Sequence, residues 1–194
     1  MEHLAHIEIN RTGPSLAGAS QVFGRNEGRI VPDGQSGAGQ GRRHSFGLLS
    51  DLTALFIASS DQGVALASDL SEAGATVILC TKRHTTIHAL WADVAQAQVI
   101  FIDADTFDDT GKLVDFCMKL RSLAPDKPTI LQSAVVGQND FTTERMSICD
   151  VTLSKPTSRA VLHYAIDVAV ENNARYRALL CCQKDGSSAT SEGC

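Results

Sequence analysis

Asp103, Ser133 and Lys155 each lie just after an apolar, strand-like run of the chain. The carboxyl ends of parallel strands form the ligand-binding edge of an open α/β sheet. Three successive strands would therefore deliver a carboxylate, a hydroxyl and an ammonium group to one place. Side chains of these types, brought together in this way, are suited to holding one small anionic group.

The elements that must position these side chains alternate regularly between strand and helix patterns. Short apolar runs typical of buried strands alternate with segments whose apolar residues have helical spacing. This alternation predicts an α/β fold with a doubly wound, five-stranded parallel sheet covered on both faces. Right-handed crossovers leave few topologies, of which the flavodoxin-like order 2-1-3-4-5 is the leading one. The predicted strands cover residues 53–58, 75–80, 99–102, 129–133 and 151–154, and the predicted helices follow them, the fourth at 140–146.

Several local signals place the helix ends and one core residue. Asp61 is suited to cap the first helix, which Gly74 closes. Asp108 or Asp109 is suited to cap the third helix, where a carboxylate complements the helix dipole. Trp91 falls on the apolar stripe of the second helix and is predicted to lie in the core.

Composition excludes several classes of protein. The chain has 194 residues, 43% of them hydrophobic, and a formal net charge of −5, so it has no basic stripe for nucleic acid. No apolar stretch approaches the length of a membrane span, and the first residues lack the pattern of a signal peptide. The six cysteines include no C-x-x-C pair. We therefore expect a reduced, cytoplasmic protein that binds neither nucleic acid nor membrane.

Glycine content divides the chain into three predicted parts. Residues 1–51 form a Gly-rich N-terminal arm, which is expected to be flexible because it buries too little apolar surface. Residues 52–177 form the α/β domain. Residues 178–194 form a Ser/Gly-rich tail that is expected to be disordered.

Asp103, Ser133-Ala134 and Lys155-Pro156, with their spacing, resemble the motifs of the response-regulator receiver family. The resemblance covers roughly residues 53–175. It implies that Asp103 is the phosphoacceptor, that Ser133 and Lys155 bind the phosphoryl group, and that Mg²⁺ assists. It also implies a histidine kinase or phosphotransfer protein, a downstream protein target, or both as partners.

The chain departs from the receiver pattern at three places. Ser59-Ser60 replaces the acidic pair that holds Mg²⁺ in the family, Thr152 replaces an aromatic residue, and Thr106-Phe107 replaces an apolar-Pro step. Neutral hydroxyl groups supply little attraction for Mg²⁺, which prefers charged oxygen ligands. A rebuilt Mg²⁺ site would use Asp103 and Asp105, with Asp61 as a further ligand.

The same stretch also looks like the D-x-D-x-T motif of haloacid-dehalogenase-type phosphatases. In such an enzyme Asp103 would be the nucleophile and Asp105 the general acid/base, with Mg²⁺ as cofactor. That family needs a later acidic motif, and after Lys155 only Asp167 and Glu171 carry carboxylates within the predicted domain. This enzyme is the alternative to a receiver.

The sequence thus predicts an atypical, single-domain receiver of two-component phosphorelay signalling rather than an enzyme. Its only chemistry would be self-phosphorylation at Asp103 from a phosphodonor. Two versions remain open, a working phosphoacceptor and a pseudo-receiver whose contacts do not depend on phosphorylation. Either version would act through protein contact at a surface formed by Arg159, Tyr164 and the predicted helix at 140–146.

Overall fold

The structure is a computed structural model that describes residues 49–81 and 86–187, with side chains as far as Cys182. Most of the predicted N-terminal arm and the end of the predicted tail lie outside the described residues. Leu49 to Asp51 form a short 3₁₀ turn whose Leu49 side chain is buried. The described part of the chain therefore starts three residues before the predicted domain boundary at residue 52.

Five parallel strands form one sheet with the order β2-β1-β3-β4-β5. The predicted fold, an α/β doubly wound sheet with flavodoxin-like order 2-1-3-4-5, is confirmed. Because most of the strands are covered on both faces, they appear in the sequence as nearly continuous apolar runs. The strands are β1 (Thr53–Ile57), β2 (Thr76–Cys80), β3 (Val99–Asp103), β4 (Thr129–Ser133) and β5 (Val151–Ser154).

Two apolar layers hold the helices against the sheet. Phe56 and Phe101 point to one face, where their rings stack with centroids 4.3 Å apart beneath the first and last helices. Ile57 and Ile102 point to the other face, beneath the second and third helices. The alternation follows from the two-residue period of a strand. The helices are α1 (Asp61–Glu72), α2 (Trp91–Gln96), α3 (Thr110–Leu123) and α4 (Arg159–Ser187).

The predicted helix at 140–146 is wrong, because the chain between β4 and β5 forms bends and turns. Asp140 makes an antiparallel bridge with Thr152 of β5, with backbone hydrogen bonds of 2.8 and 2.9 Å. The Asn139 side chain accepts a hydrogen bond of 2.8 Å from the Ser154 backbone. The connection thus lies along the open edge of β5, where backbone groups would otherwise lack partners.

The helix ends partly follow the predicted signals. Gly74 has φ of +104°, a conformation that favours glycine, at the end of α1. Asp109 caps α3 by accepting a hydrogen bond from Gly111 N at 2.5 Å. The prediction that Asp61 caps α1 is wrong: Ser60 is the cap and accepts a hydrogen bond from Gly63 N, whereas Asp61 is the exposed first residue of the helix.

Two further predictions are corrected by the structure. Trp91 is 48% exposed at the start of α2, because α2 begins only there and the preceding residues form a turn. Helix α4 continues to Ser187, so the first ten residues of the predicted tail, 178–187, are helical. No helix in the described part of the chain combines the length and the apolar character that crossing a membrane requires.

Candidate functional site

A buried ion pair joins Asp103 and Lys155 at the carboxyl edge of the sheet. Lys155 Nζ lies 2.5 Å from Asp103 Oδ1, and the two side chains are 2% and 0% exposed. Asp103 ends β3, the central strand, and Lys155 follows β5 at the sheet edge. The Lys155 side chain therefore extends from one side of the site to its centre.

Ser60 completes this pair from the loop after β1. Its hydroxyl donates a hydrogen bond to Asp103 Oδ2 and accepts one of 3.0 Å from Lys155 Nζ. It also accepts the capping hydrogen bond of 3.1 Å from Gly63 N. A serine hydroxyl has one donor and two acceptor positions, so these three contacts use all of them. The sequence did not indicate this role, because Ser60 lies 43 residues from Asp103 and 95 from Lys155 along the chain.

Asp105 is the second carboxylate that Lys155 contacts. Asp105 Oδ2 lies 2.9 Å from Lys155 Nζ, and the Asp105 side chain is 31% exposed. Asp105 N donates a hydrogen bond of 3.0 Å to Asp103 Oδ1, within the 3₁₀ turn at Ala104–Thr106 that follows β3. The lysine thus offers one positive charge to two carboxylates.

Ser133 lies next to this group, but its hydroxyl is used locally. Ser133 Oγ accepts a hydrogen bond of 3.2 Å from Val135 N. The backbone carbonyl of Ser133 accepts a hydrogen bond of 3.0 Å from Lys155 N, which keeps the two residues adjacent. The structure therefore brings Asp103 and Lys155 into direct contact and places Ser133 beside them with its hydroxyl facing its own loop.

The predicted cation ligands do not form a site that fits Mg²⁺. Both oxygens of Asp103 and one oxygen of Asp105 already contact the lysine or Ser60. Asp61 stands exposed in the first turn of α1. Across residues 49–81 and 86–187, no three His, Cys, Asp or Glu side chains are grouped so as to hold a metal ion. Mg²⁺ keeps octahedral oxygen coordination, whereas this donor set is matched to an ammonium group.

Ser59 and Thr106 make a second cross-link beside the site. Ser59 N donates a hydrogen bond of 2.9 Å to Thr106 Oγ1, and the two hydroxyl oxygens are 3.3 Å apart. Thr106 is buried. Two of the departures from the receiver pattern, at Ser59 and Thr106, are therefore in contact with each other.

The D-x-D residues have a contact pattern that is unfavourable for a phosphatase. A general acid must hold a proton to give to the leaving group. Asp105 is instead an ion-pair partner of Lys155. Asp167 and Glu171, the later carboxylates, are exposed residues within α4. The phosphatase alternative stays a sequence-based prediction.

A second buried polar cluster, which the sequence did not indicate, lies where β4 and β5 begin. Arg121 Nη2 of α3 lies 2.5 Å from Asp150 Oδ1, and both side chains are almost fully buried. Asp150 Oδ2 accepts a hydrogen bond of 2.7 Å from Thr129 N. The Tyr176 ring of α4 covers the Arg121 guanidinium group at 4.4 Å. The cluster fastens α3 and α4 to the sheet at the edge opposite Asp103.

Comparison with known proteins finds no family model and no curated protein that matches the chain. Solved structures do match. A response regulator from Thermotoga maritima is 15% identical, with a TM-score of 0.47 over 62% of this chain and 98% of its own.

Two further solved structures are similar. A CheY-like response regulator receiver domain protein from Methanospirillum hungatei is 14% identical, with a TM-score of 0.47 over 64% of this chain and 97% of its own. NtrX from Brucella abortus, in complex with ADP, is 16% identical, with a TM-score of 0.49 over 69% of this chain and 29% of its own.

Proposed function

We propose that the chain is an atypical receiver domain of two-component signalling that acts through protein contact without phosphorylation of Asp103. Two observations support the assignment to receivers: the strand order 2-1-3-4-5 and the contact between a strand-end aspartate and the lysine after β5. The observation that carries the pseudo-receiver form is the closed contact of Asp103 with Ser60 and Lys155.

Access to the carboxylate supports the same proposal. Phosphoryl transfer needs a donor phosphorus in line with an attacking oxygen at close range. The Asp103 side chain is 0% exposed, and its two oxygens accept hydrogen bonds from Ser60, Lys155 and Asp105 N. A donor could reach an oxygen only after these contacts open. Ser59-Ser60 also leaves the loop after β1 without a pair of carboxylates that would attract Mg²⁺.

The polar network has a structural task that does not require phosphate. It joins the ends of β1, β3 and β5 through side chains of the residues that follow or end them. Removing one member leaves a buried charge without its partner, which costs more than the pair contributes. Asp103, Lys155 and Ser60 therefore have a reason to occur together in a protein that takes no phosphoryl group.

The proposed partner surface is the face formed by α4 and the connection before β5. Tyr164 of α4 is 56% exposed and packs edge-on against Phe141, with ring centroids 5.0 Å apart. Exposed aromatic residues are frequent anchors of protein interfaces. Arg159 lies toward α1 instead, with Nη2 3.7 Å from Glu72 Oε2. Tyr164 and Phe141 therefore replace the predicted surface helix as the centre of this face.

Site-specific photo-crosslinking in the source cells tests this function. A photo-reactive phenylalanine analogue at Tyr164 is expected to cross-link a histidine kinase, a phosphotransfer protein or another signalling protein, identified by mass spectrometry. The same analogue at Met118, which is 52% exposed on α3, is the matched control. The cross-link is expected to persist in Asp103→Asn. Loss of the cross-link in that variant, with the fold retained, would contradict phosphorylation-independent contact.

A further inference from the structure

A cavity of about 430 Å³ lies beside the Asp103 network, between the start of α3, strand β4 and the connection before β5. Its walls are mostly apolar and include Phe107, Leu113, Val114, Leu131 and Ile148. Cavities of roughly 300–1,000 Å³ with apolar walls and a few polar groups are typical of small-molecule sites. This cavity lies within that range.

The connection between β4 and β5, which forms bends and turns rather than a helix, supplies one side of the cavity. Asp140 and Asn139 hold the connection at the edge of β5, through the bridge to Thr152 and the hydrogen bond from Ser154. Ser154 Oγ donates a further hydrogen bond of 2.8 Å to the Val136 carbonyl. These contacts fix residues 136–140 at the sheet edge, while Ile148 and Cys149 of the same connection line the cavity beside Leu131 of β4.

Apolar surface at the mouth of the cavity is left without cover. Val135 lines the cavity and is 90% exposed. Deeper in the wall lies Cys149, and burial raises the pKa of its thiol, so it stays protonated and behaves as an apolar residue. The walls therefore favour an apolar ligand.

The charged groups that face the cavity already have partners. Asp105 Oδ2 is paired with Lys155 at 2.9 Å. Arg145 Nε lies 3.4 Å from Asp140 Oδ2. Together with the buried Asp103, these five groups carry no net positive charge that would attract an anion. They still offer hydrogen bonds: Asp105 and Ser133 have acceptor oxygens, and Arg145 has N–H donors.

We propose that this cavity binds an uncharged, largely apolar small molecule with one or two hydrogen-bonding groups, and that its occupancy is the signal the domain senses. The cavity and the network share Asp105, which lines the one and holds Lys155 in the other. A ligand that contacts the 3₁₀ turn at Ala104–Thr106 acts directly on the Asp105–Lys155 pair. The signalling part of this inference rests on the proposed function.

Two fluorescent probes that differ by one charged group test the site. N-phenyl-1-naphthylamine is uncharged and apolar, and anilinonaphthalene sulfonate is its sulfonated relative. The uncharged probe is expected to bind the full chain saturably with one site, and the sulfonate at least about tenfold more weakly, which corresponds to about 1.4 kcal/mol. Absence of saturable binding, or equal affinity for both probes, would overturn the proposal.

A matched pair of variants locates the binding. Val114→Trp fills the cavity and is expected to weaken the uncharged probe at least about tenfold. Val64→Trp, on the α1 side of the sheet, is expected to bind it as the wild type does. Equal effects of the two variants would refute this location.

Amide chemical shifts of the wild-type protein supply a test that needs no variant. The probe is expected to shift the amide signals of Asp105, Ser133 and Val135 most. The largest shifts at other residues would overturn the proposal. If the probe does not bind this cavity, the Tyr164 cross-link is still expected. If the proposed function is wrong, the cross-link is lost and probe binding stays intact. The two failures are therefore distinguishable.

Discussion

Lys155→Met tests the energetic role of the buried network. The substitution keeps most of the side-chain volume and removes the ammonium group that contacts Asp103, Asp105 and Ser60. The Asp103 side chain is 0% exposed, so water cannot replace the lost charge. Removing one partner of a buried ion pair costs about 3–5 kcal/mol. We expect the free energy of unfolding to fall by about that amount in urea denaturation followed by circular dichroism.

Two further variants show whether the cost comes from the unpaired carboxylate. Lys119→Met, at an exposed position of α3, is the control and is expected to change stability by less than about 0.5 kcal/mol. Asp103→Asn combined with Lys155→Met removes both charges and is expected to be more stable than Lys155→Met alone, with a coupling of about 1–3 kcal/mol. A loss below about 1 kcal/mol for Lys155→Met, or additive effects in the double variant, would refute the reasoning.

Three other predictions follow from close contacts and from pH. Gly63→Ala is expected to lower the free energy of unfolding by about 1–3 kcal/mol, because a Cβ there would lie 2.6 Å from Asp103 Oδ2. Gly137→Ala is the control in the same denaturation assay, because a Cβ at Gly137 would have nothing within 4 Å. Arg121→Lys is expected to cost about 1–3 kcal/mol, because lysine loses the planar stack on Tyr176 and cannot fork between partners; an unchanged denaturation midpoint would contradict this. The hydrogen bonds from Thr142 and, to a smaller extent, the charge of Arg145 lower the pKa of Asp140 below 3.8. The stability that the Asp140 carboxylate contributes is therefore present above pH 3.8 and is lost as the pH falls through the pKa of the folded state. Asp140→Ala should therefore be less stable than the wild type at neutral pH and approach it in strong acid, and a gap that grows on acidification would refute this sign.

The sheet was predictable because four of its strands, β1, β3, β4 and β5, are buried on both faces along most of their length. Runs such as residues 54–57 and 99–102 are apolar without interruption, and the helices between them have clear apolar spacing. Parallel pairing and right-handed crossovers then leave one leading strand order. Local sequence therefore contained most of the information that the fold required.

The connection between β4 and β5 was not predictable in the same way. Its conformation depends on the bridge between Asp140 and Thr152 and on the contact of Asn139 with Ser154, neither of which is a local helix signal. The same connection supplies Ile148 to the cavity wall and Phe141 to the contact with Tyr164.

The site was predictable in part. Asp103 and Lys155 could be placed together because both follow strands at the same edge of the sheet. Ser60 lies 43 residues from Asp103 and 95 from Lys155 along the chain, so its hydrogen bonds to both appear only when the fold is known. Arg121 and Asp150 were missed because a charged residue is ordinarily found at the surface.

The most direct test of the central claim is the intact mass of the full chain after incubation with acetyl phosphate and Mg²⁺. Asp103→Asn and a sample with EDTA are the controls. Because Lys155 and Ser60 hold the Asp103 carboxylate in a buried network, we predict no phosphoryl adduct on the wild-type protein. A single adduct that is absent from Asp103→Asn and from the EDTA sample would contradict this claim and would identify Asp103 as a working phosphoacceptor.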